Sequence, residues 1–275
     1  MALWWIGWAL AGYGDARDGV PTPAERELHV WTNAVRADPD AFRGDYQRGG
    51  CRFEDFKVNE KAPVPLLAWH PNLGRVARDH SLDMERHRSL SHNSSDGTSF
   101  VTRVERVYRG EVIGENVAMV SMSPYVTVME GWMCSSGHRS NIMEAAFEEL
   151  GTGVAGVFMT QDFGAPVARK PVLHMGAHAP WEPTSRVSLL VDYDGSYAEE
   201  VWAVVDGERH GMDLTWGTNN RGVWRTTLPA DGACHVYWFE EDLKGTRFPE
   251  TGAYTYGDCA DADRETGWVG PEVVA

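Results

Sequence analysis

Three stretches in the first half of the chain place apolar residues at helical spacing. The first begins with Thr22 as an N-cap, Pro23 at the first helical position and Glu25 as the partner of a capping box. The apolar residues that follow recur on one helical face: Leu28, Trp31, Val35 and Phe42. The pattern therefore predicts a first amphipathic helix.

Two further helices are predicted to begin at prolines. One begins near Pro71, and one face of it carries a stripe of expected core residues: Leu73, Val76, Ala77, His80 and Met84. The other begins at Ser123 and Pro124, and its inward-facing residues are Tyr125, Met129, Trp132 and Met133. The run 153–163, bounded by glycines, is strand-like. This mixture predicts an α+β region.

The pattern changes from about residue 181, where no helical periodicity remains. Four β-rich runs follow with Gly, Asp and Asn between them: 187–191, 200–205, 222–227 and 235–239. Runs spaced by about a dozen residues are typical of a β-sandwich. The proline-containing segment 179–183 is the natural linker. We therefore predict one domain over 17–179, expected to fold alone, and a smaller all-β domain over 180–275, like an immunoglobulin or fibronectin domain.

Charge and the N-terminal residues restrict the location and the partners. The chain holds 25 Lys+Arg and 40 Asp+Glu, a formal charge of -15, so a phosphate backbone would repel it and nucleic acid is not an expected partner. The uncharged stretch 1–14 is shorter than the roughly 20 apolar residues of a membrane span, so no transmembrane segment is predicted. Residues 1–16 instead read as a signal peptide, although no Lys or Arg precedes the apolar run. The expected location is extracellular or the cell envelope.

The cysteine count fits an oxidising compartment. Four cysteines permit three disulfide connectivities, and no CxxC pair suggests a sulfur-ligated zinc site. Pairing within each predicted domain is the simplest choice, because it does not tie separate cores together. It would join Cys51 to Cys134 and Cys234 to Cys259.

Titratable side chains beside glycines and turns mark a candidate site. His92 lies in the polar run LSHNSSDG (90–97), Glu115 in the GEN segment 114–116, and His138 directly after Gly137. Two imidazoles and a carboxylate can hold zinc with an open position, or one His can act as a base whose tautomer the Glu fixes. The competing interpretation is that these are ordinary hydrogen-bonded loop residues.

Two other patterns are weaker. Ser135 and His138 have the residue types of a nucleophile and its base, but no strand-to-helix elbow or orienting acid accompanies them. Asp192 and Asp194 with Gly195 are similar to the start of a calcium loop, but the downstream ligands and the closing Glu are missing.

In order, these segments resemble the bacterial branch of the CAP superfamily, the extracellular group of cysteine-rich secretory proteins, antigen 5 and plant pathogenesis-related 1 proteins. The matching segments are LLAWHPNLGRVARDHSLDM (66–84), LSHNSSDGTSFVTR (90–103), GENVA (114–118), GWMCSSGHRSNIM (131–143) and FEELGTGVAGVFMTQDFG (147–164). The resemblance implies a three-layer α-β-α sandwich with an open central cleft over about residues 24–165.

The family cleft carries two His and two acidic side chains. The resemblance places His92, Glu115 and His138 on three of these positions, with Asn116 and Arg139 beside them. The second acid falls on Ser135, which weakens any mechanism that needs two carboxylates. The two-His metal site, with Zn²⁺ as the expected ion, is not affected.

Family membership leaves the activity open, since one fold hosts many functions. The preferred hypothesis is a secreted CAP protein that binds a small apolar, lipid-like ligand or a divalent metal in its cleft, while the β-sandwich attaches it to a cell-surface component. The alternatives are a zinc-dependent hydrolase or protease that uses His92, His138 and Glu115, and a purely structural cell-surface module.

Overall fold

The computed structural model of the chain describes residues 12–16, 19–165, 171–181 and 185–259. Its helices are α1 (Pro23–Ala37), α2 (Arg43–Arg48), α3 (Pro71–His87), α4 (Phe100–Glu105), α5 (Pro124–Val126) and α6 (Ser136–Ile142). The strands of the first half are β1 (Ala68–Trp69), β2 (Val112–Met119), β3 (Glu149–Ala155) and β4 (Phe158–Ala165). The mixed α+β class is confirmed.

Helix α1 begins as the sequence predicts. The Thr22 hydroxyl accepts from the backbone N–H of Glu25, and the Glu25 carboxylate accepts from that of Thr22. The helix ends at Ala37, before Pro39. Phe42 is buried but lies in the following 3₁₀ turn, so its assignment to the same helical face is wrong.

The predicted buried stripe of α3 is confirmed, and this helix packs directly on the first sheet. Two glycines of β3 make the close approach possible. A Cβ at Gly151 would lie 2.0 Å from the Leu73 carbonyl carbon, and one at Gly153 would lie 2.2 Å from that of Ala77. Thr152 lies between these two glycines and points to the other face of the sheet, where its hydroxyl donates to the Glu25 carbonyl of α1. Since side chains alternate across a strand, α1 and α3 cover opposite faces of the sheet.

The third predicted helix begins correctly but is not continuous. The Ser123 hydroxyl caps α5, and Pro124 holds the first position. After three residues the backbone widens over Thr127–Gly131 and then tightens into a 3₁₀ turn at Trp132–Cys134. Gly131, a weak helix former, stands at this change. Helix α6 then carries His138.

The first sheet has the strand order β1-β3-β4-β2. Strands β2 and β4 are antiparallel, and their register places Glu115 opposite Asp162 and Asn116 opposite Gln161. This register brings the GEN segment against two polar residues in the middle of β4.

The second half consists of two antiparallel sheets. Its strands are β5 (Leu173–Trp181), β6 (Arg186–Asp194), β7 (Val201–Val205), β8 (Glu208–Gly211), β9 (Asp213–Thr218), β10 (Arg221–Pro229), β11 (His235–Glu241), β12 (Thr246–Phe248) and β13 (Tyr254–Tyr256). One sheet has the order β5-β6-β10-β9; the other has the order β12-β11-β7-β8, with β13 also paired to β11. The four predicted runs lie in or beside β6, β7, β10 and β11.

The sheets begin before the predicted boundary at residue 180. Ala179 and Pro180, expected in a linker, belong to β5 and pair with Ser188 and Val187 of β6. Residues 182–184 lie outside the described ranges. Gly176 of β5 faces the other sheet, since a Cβ there would lie 2.3 Å from the Phe239 ring.

The two halves share one hydrophobic core, which includes Leu28 and Val35 of α1 together with Leu189 and Val223 of the β-rich half. A buried hydrogen bond of 2.7 Å also crosses the junction, from Asn33 Nδ2 to Asp192 Oδ2. Asp192 therefore lies in the junction core, not in a solvent-facing calcium loop. Because the core is shared, residues 17–179 alone would expose part of it, so they are not expected to fold independently.

The end of the predicted signal segment contributes to the same junction. The Tyr13 hydroxyl accepts from the Trp69 backbone N–H at 2.7 Å and donates to the His174 carbonyl at 2.8 Å. The Asp15 carboxylate accepts from the backbone N–H groups of Thr251 and Gly252. The rest of that segment, 1–11, lies outside the described residues, as do 17–18.

Both predicted disulfides are confirmed. Cys51 and Cys134 are bonded with their Cα atoms 5.4 Å apart, and Cys234 and Cys259 with theirs 4.7 Å apart. None of the helices in the described ranges combines the length and apolarity that a membrane crossing requires.

Candidate functional site

His92 is held by the Glu115 carboxylate. The loop after α3 presents His92, β2 presents Glu115, and the distance from His92 Nδ1 to Glu115 Oε1 is 2.7 Å. Hydrogen bonds from α3 hold this loop in place. A His80 ring nitrogen lies 2.7 Å from the Ser91 carbonyl oxygen, and the Asp83 carboxylate accepts from the backbone N–H and the hydroxyl of Ser95. The His92 side chain is 56% exposed, whereas that of Glu115 is 1% exposed.

Arg103 of α4 completes this arrangement, and the sequence analysis did not single it out. Its guanidinium forms an ion pair with Glu115 Oε2. It also donates to the His92 carbonyl and the Ser94 hydroxyl, both at 3.2 Å. Its only sequence signal was its place in the SFVTR segment, four residues after the helix-capping Ser99. Both oxygens of Glu115 are therefore occupied.

A second buried carboxyl lies against Glu115. Asp162 is fully buried, and neither of its oxygens accepts a hydrogen bond from another described group. Burial raises the pKa of Asp162 well above its ordinary value, and the neighbouring Glu115 raises it further. Burial also raises the pKa of Glu115 to about 7, while Arg103 opposes that rise.

Charge explains how the two carboxyls coexist. Two buried carboxylates beside one guanidinium would leave an uncompensated negative charge. The pair therefore retains one proton, which we place on Asp162 because no other group donates to it. Glu115 is then the ionised member, and it accepts from Nδ1–H of His92. This hydrogen bond leaves the lone pair of His92 on Nε2.

His138 lies close to His92 in the same cleft. Its ring meets the Trp132 ring edge to face, with centroids 6.3 Å apart. Burial lowers the pKa of both imidazoles, and the electrostatic influence of His92 lowers that of His138 further. Both rings are therefore neutral at pH 7.

A buried amide network fixes His138 relative to β2. Asn116 Nδ2 donates to the His138 carbonyl at 3.2 Å and to Gln161 Oε1 at 3.0 Å. Asn141 Nδ2 donates to Asn116 Oδ1 at 2.9 Å and to the Glu115 carbonyl at 3.0 Å. Gln161 in turn donates to the Thr32 hydroxyl of α1. Asn116 thus positions the site. Asn141 and Gln161 lie in the segments 131–143 and 147–164 but were not singled out there.

Two predicted cleft residues have other surroundings. The Arg139 side chain is buried, pairs with Glu60 at 2.8 Å and lies 4.0 Å from the centroid of the Phe56 ring, so it stabilises the base of α6. Ser135 is half-buried and uses its backbone to begin α6. Within the described ranges its hydroxyl makes no hydrogen bond to His138, so the two do not form a nucleophile-base pair.

Metal binding at this site would depend on the two imidazoles. Across the described residues, no three His, Cys, Asp or Glu side chains are arranged to hold a metal ion. Glu115 is committed to His92, Arg103 and Asp162. An ion bound here would therefore have the two imidazoles and solvent as its ligands, with Glu115 acting through His92.

Comparison with known proteins identifies the first half. A sequence profile of the cysteine-rich secretory protein family, CAP, matches residues 32–162. The protein described as "Uncharacterized membrane protein YlbC" of Bacillus subtilis strain 168 is 34% identical over 107 residues, 38% of this chain and 31% of that protein. The chain thus spans about a third of the length of that curated relative.

Solved structures with similar segments come from bacteria. An extracellular protein containing an SCP domain, from Bacillus anthracis strain Ames, is 35% identical over 38% of this chain and 35% of that chain, with a TM-score of 0.35. A cysteine-rich secretory protein from Staphylococcus aureus Mu50 is 15% identical over 54% and 40% of the two chains, with a TM-score of 0.38. Since both TM-scores are low, the assignment rests on the sequence profile. Residues 32–162, which carry His92, Glu115 and His138, therefore match the cysteine-rich secretory protein (CAP) family.

Proposed function

We propose that this is a secreted CAP protein that binds a divalent metal ion, Zn²⁺ in the first instance, at His92 and His138. The observation that carries the proposal is the 2.7 Å hydrogen bond between His92 Nδ1 and Glu115, which directs the Nε2 lone pair outward from a largely exposed ring. Neutral imidazole is a good ligand for zinc. Bound zinc would act there as a Lewis acid with solvent-filled positions.

The same contacts favour binding over hydrolysis. A general base must reach the water that it deprotonates. Glu115 is 1% exposed, and its oxygens contact Arg103 and His92. Glu115 is therefore a positioning residue for His92 in this proposal. A hydrolase that uses Glu115 as the base would first have to break one of these two contacts.

Secretion is supported by the two disulfides, because such bonds persist in oxidising compartments. The similar proteins from Bacillus anthracis and Staphylococcus aureus are described as extracellular and as secretory, respectively, which agrees with secretion. We assign the two C-terminal sheets the role of attaching the protein to a cell-surface component. A lipid-like ligand in the same cleft would lie beside the His138 ring, which packs on the buried Trp132 ring.

The test is calorimetric titration of zinc into the wild type and into His92→Ala, His138→Ala and Glu115→Gln. We expect each His variant to lose about tenfold or more in affinity, and Glu115→Gln to lose about tenfold, as for other groups that orient a metal-binding His. His210→Ala, which changes a histidine on β8, is the matched control and should bind as the wild type does. Equal zinc affinity in all five proteins would disprove the metal proposal.

A further inference from the structure

A pocket of about 420 Å³ lies at the junction of the two halves. The first turn of α1 forms one wall with Pro23, Ala24 and Glu27. The ends of β5 and β6 form a second wall, which includes His178 and Val187. The loop 230–233 and the residues Tyr256 and Gly257 close it. None of these residues contributes to the His92–His138 cleft, and the volume is that of a small-molecule site.

The wall formed by loop 230–233 is fixed. The Cys234–Cys259 disulfide joins the two segments next to the pocket. Gly257 has φ +93°, and a Cβ there would lie 1.8 Å from the Ala233 carbonyl oxygen, so only glycine permits this approach. The Asp258 N–H donates to the Gly232 carbonyl at 3.1 Å. The pocket therefore exists before any ligand binds.

Glu27 places a carboxylate in this mostly apolar space. Its Oε1 accepts from the Trp31 indole N–H at 3.1 Å. Its Oε2 has no donor, and no Lys, Arg or His pairs with Glu27 in the described part of the chain. Burial raises the pKa of Glu27 to about 7. A carboxylate in such surroundings is stabilised by a counter-charge, and the pocket's Arg186 is directed instead to the Thr227 carbonyl.

His178 supplies a hydrogen-bond donor in the same pocket. Its Nδ1 lies 3.0 Å from the Tyr237 hydroxyl. We assign the Tyr237 hydroxyl as the donor to this nitrogen. Burial lowers the pKa of His178 to about 3, and the ring is neutral. The remaining proton is therefore on Nε2, which has no partner among the described residues.

We propose that this pocket binds a small apolar amine whose ammonium group pairs with Glu27 and whose neighbouring oxygen accepts from His178 Nε2–H. The apolar part of the ligand lies against Pro23, Val187 and Tyr256. The formal charge of -15 favours the approach of a cation. A carboxylate ligand would face Glu27, while Arg186, which also lines the pocket, already donates to the Thr227 carbonyl and offers little compensation. An anion should therefore bind more weakly than the amine.

The experiment measures binding of 2-amino-1-phenylethanol to the full chain by calorimetry or ligand-observed NMR. 2-Phenylethanol, which lacks the amine, and phenylacetate, which carries the opposite charge, are the comparison probes. We expect the amine to bind about tenfold more tightly than the alcohol, as a charge-assisted hydrogen bond implies, and phenylacetate to bind more weakly than the amine. The variant Glu27→Gln keeps an acceptor for Trp31 and should remove the preference for the amine. Glu200→Gln, on the exposed surface, should keep it.

Three outcomes overturn the proposal. The first is equal affinity of the amine for the wild type and Glu27→Gln. The second is no saturable binding of the amine to the wild type up to about 10 mM, the weak end expected of a fragment-sized ligand. The third is loss of amine binding in His92→Ala, which would place the probe in the cleft. The comparison of the three probes uses the wild type alone, so it decides the question even where a variant does not fold.

Discussion

The decisive residue-scale feature is the shared proton of Glu115 and Asp162. The two carboxyls are opposite each other on β2 and β4, with Arg103 as the compensating cation. Their pKa values are both raised, so the folded protein retains a proton that the unfolded chain releases. This contribution to stability is fully present below about pH 4, the ordinary carboxyl range, and is lost as the pH rises.

The pH dependence of unfolding tests this proton. The side chain introduced by Asp162→Asn can donate a hydrogen bond to Glu115 but has no titratable proton. We expect wild-type stability to fall by about 1.4 kcal/mol per pH unit more steeply than that of Asp162→Asn between about pH 5 and pH 8. Urea denaturation across this range measures the difference. The exposed Asp79→Asn is the control, and parallel profiles for wild type and Asp162→Asn would contradict the shared proton.

Asn116 is the second residue whose role is structural and positional. Its buried amide joins the His138 carbonyl, Asn141 and Gln161 in one network. Asn116→Ala leaves these groups unpaired, so we expect a loss of about 2–4 kcal/mol in unfolding free energy. Chemical denaturation measures it. A change below about 0.5 kcal/mol, the usual range for surface substitutions, would show that water replaces the amide.

The packing of α3 on β3 depends on glycine at the element scale. A Cβ at Gly153 would lie 2.2 Å from the Ala77 carbonyl carbon. Gly153→Ala therefore forces the helix away from the sheet, and we expect a loss of about 3 kcal/mol or more, in the range of severe overpacking. Gly137 of α6 has no atom within 4 Å of its would-be Cβ. Gly137→Ala should be neutral or stabilise by up to about 1 kcal/mol. Equal effects of the two substitutions in thermal melts would contradict this packing.

The elements whose start depends only on neighbouring residues were predicted correctly from the sequence. The capping box at Thr22, the stripe of α3 and the proline start of α5 follow from neighbouring residues alone. The irregular backbone after α5 and the strand β5 do not follow from neighbouring residues. In β5, residues 173–181 contain two His, a Gly and a Pro, a composition that reads as a loop. Pairing with β6 and burial against α1 make it a strand.

The site followed the same division. His92, Glu115 and His138 were found because they stand in short motifs beside glycines or turns. Asp162 and Gln161 were missed because only the register of β2 and β4 brings them opposite Glu115 and Asn116. Arg103 was missed because only the packing of α4 brings it to Glu115. Arg139 was misjudged because adjacency to His138 along the chain does not fix its direction on α6; its side chain pairs with Glu60.

At the scale of the whole molecule, the two halves form a continuous core. Helix α1 contributes to both, and Asn33 and Tyr13 add hydrogen bonds across the junction. We therefore expect one cooperative thermal transition for the full chain, with equal calorimetric and van't Hoff enthalpies. The fragment 17–179 should not show that transition. Two separated transitions, or a cooperative melt of the fragment alone, would restore the independent domain predicted from sequence.

The most direct test of the metal proposal is the ¹⁵N NMR spectrum of the His92 and His138 rings during a zinc titration at pH 7. We expect His92 without metal to carry its proton on Nδ1, and one equivalent of zinc to shift a ring nitrogen of both histidines together. A His92 ring protonated on Nε2, or zinc that leaves both rings unchanged, would contradict it.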